Sequence, residues 1–284
     1  MASINDLATA ASAVAALAPP AGGATTEGNP SSANGAVTRG ALVVLEGLDR
    51  SGKTTQVKLL EQRFVELGRK VKVMRFPDRS TPIGQMIDSY LKSQVKMDDH
   101  VIHLLFSANR WEAAKTITSL LSAGITVLCD RYYHSGIVYS AAKQNPSLSL
   151  SWARAPEIGL PRPDLVVFLD LDEAQAKTRG GWGGELYEKG EMQRRVRDLF
   201  WGLSMGKIGT AEVATEEVVA VGPPSPERGM TGTEQRFRQE EEDLQVVDAS
   251  PSVEDVAEEI WKVVQTRVEA VERGEVGRTV RRVS

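Results

Sequence analysis

The sequence predicts an α/β fold in which a parallel sheet lies between two layers of helices, and three observations carry that reading. Short continuous apolar runs stand at Ala41–Leu45, Ile125–Cys129 and Leu165–Leu169, and two further short strands are read at Val71–Phe76 and Leu244–Val247. Runs without polar alternation suit strands covered on both faces, as those of parallel sheets are. Segments with apolar residues at helical spacing stand between them, and strand–helix alternation predicts a doubly wound sheet.

Taken in order, residues 1–38 hold no Lys or Arg but much Ala, Gly, Ser, Thr and Pro, which predicts a disordered N-terminal extension. A processed targeting segment is the alternative. Leu7–Ala18 is apolar enough for a signal core, yet Asp6 precedes it where a basic residue belongs, and the first arginine is Arg39. The Ala41–Leu45 strand leads through a glycine-bearing turn into a helix over Thr54–Leu67, marked by Val57, Leu60, Phe64 and Leu67 and closed by Gly68. The Val71–Phe76 strand stops at Pro77. Pro82 opens a helix carrying Ile83, Ile87 and Leu91, and Asp98 with Asp99 caps a longer one reaching about Ser122, ended by Gly124. Residues 204–243, with Gly222-Pro223-Pro224-Ser225-Pro226 and the run Glu240 to Asp243, read as a surface insertion. The Leu244–Val247 strand precedes a terminal helix with Val253, Val256, Ile260 and Val264. One folded unit over residues 39–268 is therefore expected. A tail at 269–284 follows it, in which Arg278 to Arg282 read as solvated.

Thirty-four basic against 38 acidic side chains give a formal charge of −4, which argues against a nucleic-acid partner. No apolar run approaches the roughly 18–20 residues that span a bilayer, so no membrane partner is expected. The single cysteine, Cys129, forms no internal disulfide and sits in an apolar strand as a core thiol. An intracellular setting, the cytoplasm with the nucleus left open, follows.

Chemistry enters at Gly47-Leu48-Asp49-Arg50-Ser51-Gly52-Lys53-Thr54, which satisfies G-x-x-x-x-G-K-[ST] between a strand and a helix. Glycines let the backbone curl with its N–H groups inward, and the helix N-terminus adds positive dipole. Lys53 is expected on the β- and γ-phosphates and the Thr54 hydroxyl on Mg²⁺. A phosphate-binding loop of this kind, the mark of P-loop NTPase-like folds, does not choose between a kinase, a GTPase and a motor. No Asn-Lys-x-Asp follows to read guanine.

Three later segments have chemistry for a second, anionic substrate: Arg75-Phe76-Pro77-Asp78-Arg79-Ser80 at a strand's end, His103 to Glu112 on a helix, and Asp130-Arg131-Tyr132 at another strand's end, with Ser135-Gly136 behind it. Phe106 and Arg110, four apart, share a helix face. Together with the phosphate loop, Gly159-Leu160-Pro161-Arg162-Pro163-Asp164 and Val247-Asp248-Ala249-Ser250, these motifs resemble the thymidylate kinase family in family order, over about residues 39–203 and 244–268.

The resemblance implies a three-layer P-loop fold with a short lid, ATP and Mg²⁺ as cofactors, dTMP as acceptor and a homodimer built through helices. Gly47, Arg50, Ser51, Gly52, Lys53, Thr54 and Thr55 would hold the donor, with Arg131 and Asp248 completing that site. Phe106 would stack on thymine and Arg110 donate to its O4. Arg79 would hold the acceptor phosphate, Asp49 the 3′-hydroxyl, and Tyr132 the deoxyribose, with Phe76, Gly136, Tyr139 and Tyr187 around them. Lys53, Arg50 and Arg131 would neutralise the transferring phosphoryl group, and Asp130 would orient Mg²⁺ through water. The family's lid commonly carries Glu-Arg-Tyr-Glu, whereas Glu185-Leu186-Tyr187-Glu188 stands here, leaving Arg179 and Lys189 as the nearby cations. A kinase for another monophosphate or a deoxynucleoside, and a nucleotide-binding regulator without catalysis, are the alternatives. His100 and His103 read as helix surface or packing, since no ligand cluster accompanies them.

Overall fold

The computed structural model describes residues 38–179, 186–187, 190–205 and 243–284. The expected extension before Thr38, residues 206–242 of the insertion expected at 204–243, and Glu185, Glu188 and Lys189 of the lid lie outside the described residues. At the insertion's ends the expectation is corrected, since Ser204 closes a helix and Asp243 is buried. The described elements are β1 (Leu42–Gly47), α1 (Lys53–Glu66), β2 (Val71–Arg75), α2 (Pro82–Leu91), α3 (Asp99–Ser122), β3 (Thr126–Asp130), α4 (Tyr133–Ala141), α5 (Leu150–Arg154), a 3₁₀ turn (Ala155–Glu157), β4 (Leu165–Asp170), α6 (Glu173–Thr178), α7 (Gly190–Ser204), β5 (Leu244–Asp248) and α8 (Val253–Glu272).

All four strand pairings are parallel, in the order β2-β3-β1-β4-β5. The continuous apolar runs are buried on both faces, as expected. Val43, Leu45, Val167 and Leu169 pack with Val57, Leu60 and Phe64 of α1 and Val256, Ile260 and Val264 of α8. Leu42, Val44, Val127, Cys129, Val166 and Phe168 point the other way, onto Ile117 of α3, Ile137 of α4 and Val196 and Phe200 of α7. Each such side chain contributes about 1.5–3 kcal/mol by leaving water. Cys129 is wholly enclosed, and burial pushes its thiol up, away from reactivity.

Local chemistry sets the helix starts. The Thr81 side chain accepts from the Gly84 N–H with Pro82 at the first turn of α2, and Asp98 accepts from the His100 N–H at the start of α3. Asp99, one residue inside α3, pairs instead with Lys143 at 2.8 Å. Helix α4 gave no amphipathic signal in sequence because Tyr133 through Ser140 are all buried, which erases the 3.6-residue contrast.

The C-terminal expectation needs correction. Helix α8 continues to Glu272, and the residues beyond it are docked. The Val283 N–H donates to Leu160 O (2.9 Å), Gly159 N–H to Val283 O (2.8 Å) and Arg162 N–H to Arg281 O (2.9 Å). Val283 is 2% exposed, and Arg281 lies 3.3 Å from Asp164 and 2.9 Å from Asp243. Arg281 is held because buried carboxylates need cations, while Arg278 and Arg282 stay exposed. Asp164 itself takes a fork of two 2.7 Å bonds from buried Arg39 and the N–H of Leu42.

Candidate active site

Parallel pairing brings the carboxyl ends of all five strands to one edge, with Asp130 in register with Arg75 on β2 and with Leu45 on β1. A cavity of about 860 Å³ opens there. One end is walled by Arg50, Ser51, Gly52, Lys53, Thr54 and Thr55, with Arg179, Ala249, Pro251, Ser252 and Val253 opposite. Its other end holds Phe76, Arg79, Phe106, Arg110, Tyr132, Gly136, Tyr139 and Tyr187, with Asp49, Asp130 and Arg131 between the two groups. Nearly every residue expected from sequence is thus brought to one cavity. Two stand apart. Gly47 lies beneath the loop and offers its carbonyl to Arg131 (3.0 Å). Asp248 is not in the wall; its carboxylate turns back onto the Ser250 N–H (2.8 Å) and the residues after it face the cavity instead.

The loop's shape follows from its glycines. At Gly47, φ is 152° and a Cβ would sit 2.6 Å from Ser51 Oγ and 2.8 Å from Leu169 O, so no larger residue fits. Gly52 starts α1 at φ 93° with no side chain capping it, which leaves the first amides of the helix for an anion. Lys53 folds under the loop, its Nζ 2.5 Å from Leu48 O and 3.4 Å from Ser51 Oγ. Burial, helped by the Arg131 charge, pushes its pKa down to about 8 against the pull of Asp49, Asp130 and Glu46. The Thr54 hydroxyl donates to Asp130 Oδ2 at 2.6 Å, and Arg75 Nε lies 3.7 Å from the same oxygen.

Arg131 crosses the centre of the site. Its backbone is left-handed (φ 67°); Nη1 donates to Gly47 O and to Ser135 Oγ (3.1 Å), and Nη2 pairs with Asp49 Oδ1. Burial would raise the Asp49 carboxyl, but Arg131 and Lys53 outweigh it and hold the group below its ordinary value.

At the other end of the cavity, Arg110 is buried and bonded through Nε to Glu157 Oε2 (2.9 Å) and through Nη2 to Glu157 Oε1 (2.5 Å). Tyr132 is 1% exposed and packs on Phe76 at 5.4 Å between ring centroids. Tyr187 packs on Tyr139 (5.5 Å) and Tyr90 (6.0 Å). Arg79 donates to Asp88 at 2.6 Å. His103 bonds Ser140 Oγ and Ala153 O, each at 2.7 Å, and burial pushes its pKa to about 4, so it is a neutral packing residue. His100 sits edge-on to Trp152 at 4.6 Å. Leu186, where a cation was missed, does a different job: its N–H donates to Leu91 O (3.0 Å) and its side chain packs on the cluster of Ile87, Tyr90, Leu91 and Ile102.

Three residues of this site escaped the sequence reading. Glu46, wholly buried in β1, accepts from the N–H groups of Tyr132 (2.9 Å) and Ser135 (3.0 Å) and from Ser135 Oγ (2.5 Å). Burial raises its carboxyl, opposed by Arg131 and these donors. Its signal was legible: a lone charge in a strand otherwise apolar. Gln193 on α7 bridges Asp49 (3.0 Å) and Tyr187 O (2.7 Å), and Glu157 holds Arg110; neither has a local pattern to reveal it.

Comparison with known proteins adds an independent line. The family profile described as thymidylate kinase matches residues 45–209. The chain is 43% identical over 226 residues to the thymidylate kinase of Schizosaccharomyces pombe, covering 80% of this chain and 92% of that one. Against the thymidylate kinase of Homo sapiens it is 48% identical over 165 residues, 58% of this chain and 77% of the relative. The solved thymidylate kinase structure from Candida albicans, described as revealing the origin of broad substrate specificity and a novel structural element, superposes with a TM-score of 0.65 at 30% identity, over 87% of this chain and 99% of that one.

Proposed function

The chain belongs to the thymidylate kinase family, and we propose how its residues divide the labour of the reaction, transfer of the γ-phosphate of ATP to dTMP to give dTDP and ADP. One observation supports the assignment above all: a single cavity holds a phosphate-binding loop at one end and a buried, donor-only arginine beside Phe106 at the other. Arg110 donates to the O4 carbonyl of the base, a contact that refuses cytosine because its amino group is itself a donor. Phe106 lies against the base and Tyr132 beneath the deoxyribose. Asp49 takes the 3′-hydroxyl, Arg79 the acceptor phosphate, and Tyr139 and Tyr187 close the wall.

No elaborate base is needed, because a phosphate monoester has a second pKa of about 6 and arrives as a nucleophilic dianion. Lys53, Arg50 and Arg131 offset charge on the transferring group. The Thr54 hydroxyl beside the Asp130 carboxylate is an all-oxygen pair suited to Mg²⁺, Thr54 directly and Asp130 through water. That ion would supply further charge neutralisation.

A coupled ADP-release assay across dTMP, dUMP, dCMP, AMP and thymidine tests the reading. Turnover is expected with dTMP, weaker turnover with dUMP, whose missing methyl is worth about 1 kcal/mol, and little with the rest. No turnover with dTMP would sink it.

A pH profile tests the donor side. Lys53 attracts phosphate only when protonated, so kcat/KM for ATP is expected to fall above about pH 8 and not near 10.5. A Lys53→Arg enzyme should lose that basic limb. A wild-type profile flat to pH 9.5 would exclude the assignment.

The homodimer reading has support in an apolar stripe. Val101, Leu104 and Trp111 on α3 are 49%, 46% and 42% exposed and share one face. Sedimentation equilibrium should give twice the 30.9 kDa chain mass, and Leu104→Glu should halve it. A wild-type monomer at micromolar concentration would refute this. Among the described residues no helix is long and apolar enough to cross a membrane. The reading takes residues 39–284 as one catalytic unit, since the segment after α8 is docked, with 1–38 and 206–242 as additions, in the cytoplasm or nucleus where nucleotides are supplied.

A further inference from the structure

Reading a base through one arginine sets a demand that the arginine alone does not meet. Its side chain has many rotamers, and a donor edge that wanders selects nothing. The structure removes that freedom from behind. Arg110 and Glu157 are 3% and 0% exposed, and their paired bonds engage Nε–H and one N–H of Nη2. A guanidinium carries five N–H donors, so three remain, two on Nη1 and one on Nη2. Helix α4 closes a further side: a Cβ on Gly136 would lie 2.7 Å from Nη2 and 3.1 Å from both Cζ and Nη1. Glu157 is itself fixed to the helix that carries Arg110. The carbonyl of the preceding Pro156 accepts from Ser107 Oγ at 3.2 Å and from Trp111 Nε1 at 2.7 Å, two residues of α3 that flank Arg110. Glu157 is not in the cavity wall, whereas Arg110 is.

We propose that Glu157 is the positioning residue for acceptor-base selection, occupying the rear donors of Arg110 so that only its remaining donor edge meets the substrate. The inference rests on the assignment of Arg110 as reader of the base carbonyl. With both carboxylate oxygens engaged, the guanidinium cannot rotate to withdraw that edge from a pyrimidine amino group. Discrimination against cytosine is therefore a property of the pair.

Steady-state kinetics of the full chain with dTMP and dCMP test this. Glu157→Gln replaces one acceptor oxygen by a donor facing a guanidinium N–H, which breaks the fork. KM for dTMP is expected to rise about 10- to 100-fold with kcat changed less than about threefold, and the dTMP-to-dCMP ratio of kcat/KM to fall about tenfold or more. KM for ATP should not move. Glu157→Asp keeps the charge but draws it back by one methylene, so its ratio should fall about threefold. If the glutamine enzyme does not fold, the aspartate enzyme decides alone. An unchanged ratio in a folded variant, or a loss of kcat that leaves the ratio intact, overturns the proposal. Arg110→Met separates the two claims. If it too leaves the ratio unchanged, Arg110 does not read the base and the inference falls with that assignment. If it lowers the ratio while the Glu157 variants do not, Glu157 alone is excluded.

Discussion

Replacing Arg131 by alanine is expected to lower kcat by about 10³-fold while leaving the affinity for ATP within a few-fold, since charge neutralisation on a transferring phosphoryl group is worth 10³ to 10⁵. The guanidinium stands at the junction of the two ends of the cavity, bonded to Gly47 O, Ser135 Oγ and Asp49. Burial opposes its charge, but Tyr139, Asp49, Glu46 and Asp130 surround it and hold it protonated. A fixed cation in an enclosed site acts on developing charge without first reorganising, which is why its loss falls on turnover. ATP would still find Lys53 and the loop amides, so its binding should suffer little. Arg131→Lys should rescue poorly, because a single ammonium cannot meet Gly47 O, Ser135 Oγ and Asp49 together. Rapid-quench measurement of the chemical step decides the matter, and turnover close to wild type would remove Arg131 from the mechanism.

The second large effect is expected at a residue that touches no substrate. Glu46→Ala leaves the N–H groups of Tyr132 and Ser135 and the Ser135 hydroxyl buried without their acceptor. Each such orphan costs about 1–3 kcal/mol, so a loss of about 3 kcal/mol or more in unfolding free energy is expected. Those donors belong to the segment that presents Arg131, so turnover should fall with it. Glu46→Gln keeps one oxygen for the two backbone donors and should restore most of the stability. Urea denaturation reports the first claim and kcat the second. An alanine enzyme of wild-type stability would show that the segment holds itself.

These two predictions also mark where the sequence was legible. The phosphate loop could be read because its residues are contiguous and each glycine answers a local backbone demand. The three central strands β3, β1 and β4 could be read because burial on both faces writes itself as unbroken apolar runs, whereas the edge strands β2 and β5 carry Lys72, Arg75 and Gln245 and are only partly buried. Phe106 and Arg110 were legible as a pair because a helix places i and i+4 together. The partners that hold these residues were not. Glu157 is 47 positions from Arg110, Ser135 89 from Glu46 and Gln193 144 from Asp49, distances at which no periodicity speaks. Thirty-eight acidic side chains were candidates for each cation, and only the fold chooses among them. Asp248 shows the converse case: a motif points it to the donor site, while in the fold its carboxylate is engaged by its own turn. Arg281 misled for the same reason, since it looks solvated until buried Asp164 and Asp243 are known, whereas Arg278 and Arg282 are exposed as expected.

The strand order has a consequence for how the phosphoryl group moves. Because β1 is central, the loop that follows it is flanked on one side by residues after β4 and β5 and on the other by residues after β3 and β2. The cavity wall includes Ala249 and Ser252 on the first side, where the proposed reading puts the donor, and Phe76 and Arg79 on the second, where it puts the acceptor. Under the proposed assignment, transfer runs across the sheet, perpendicular to strands whose spacing is set by backbone hydrogen bonds between neighbours. Strands lie about 4.8 Å apart and resist being spread. On that reading the sheet fixes the separation of the two halves of the cavity wall, and the loops that follow the strands complete the alignment.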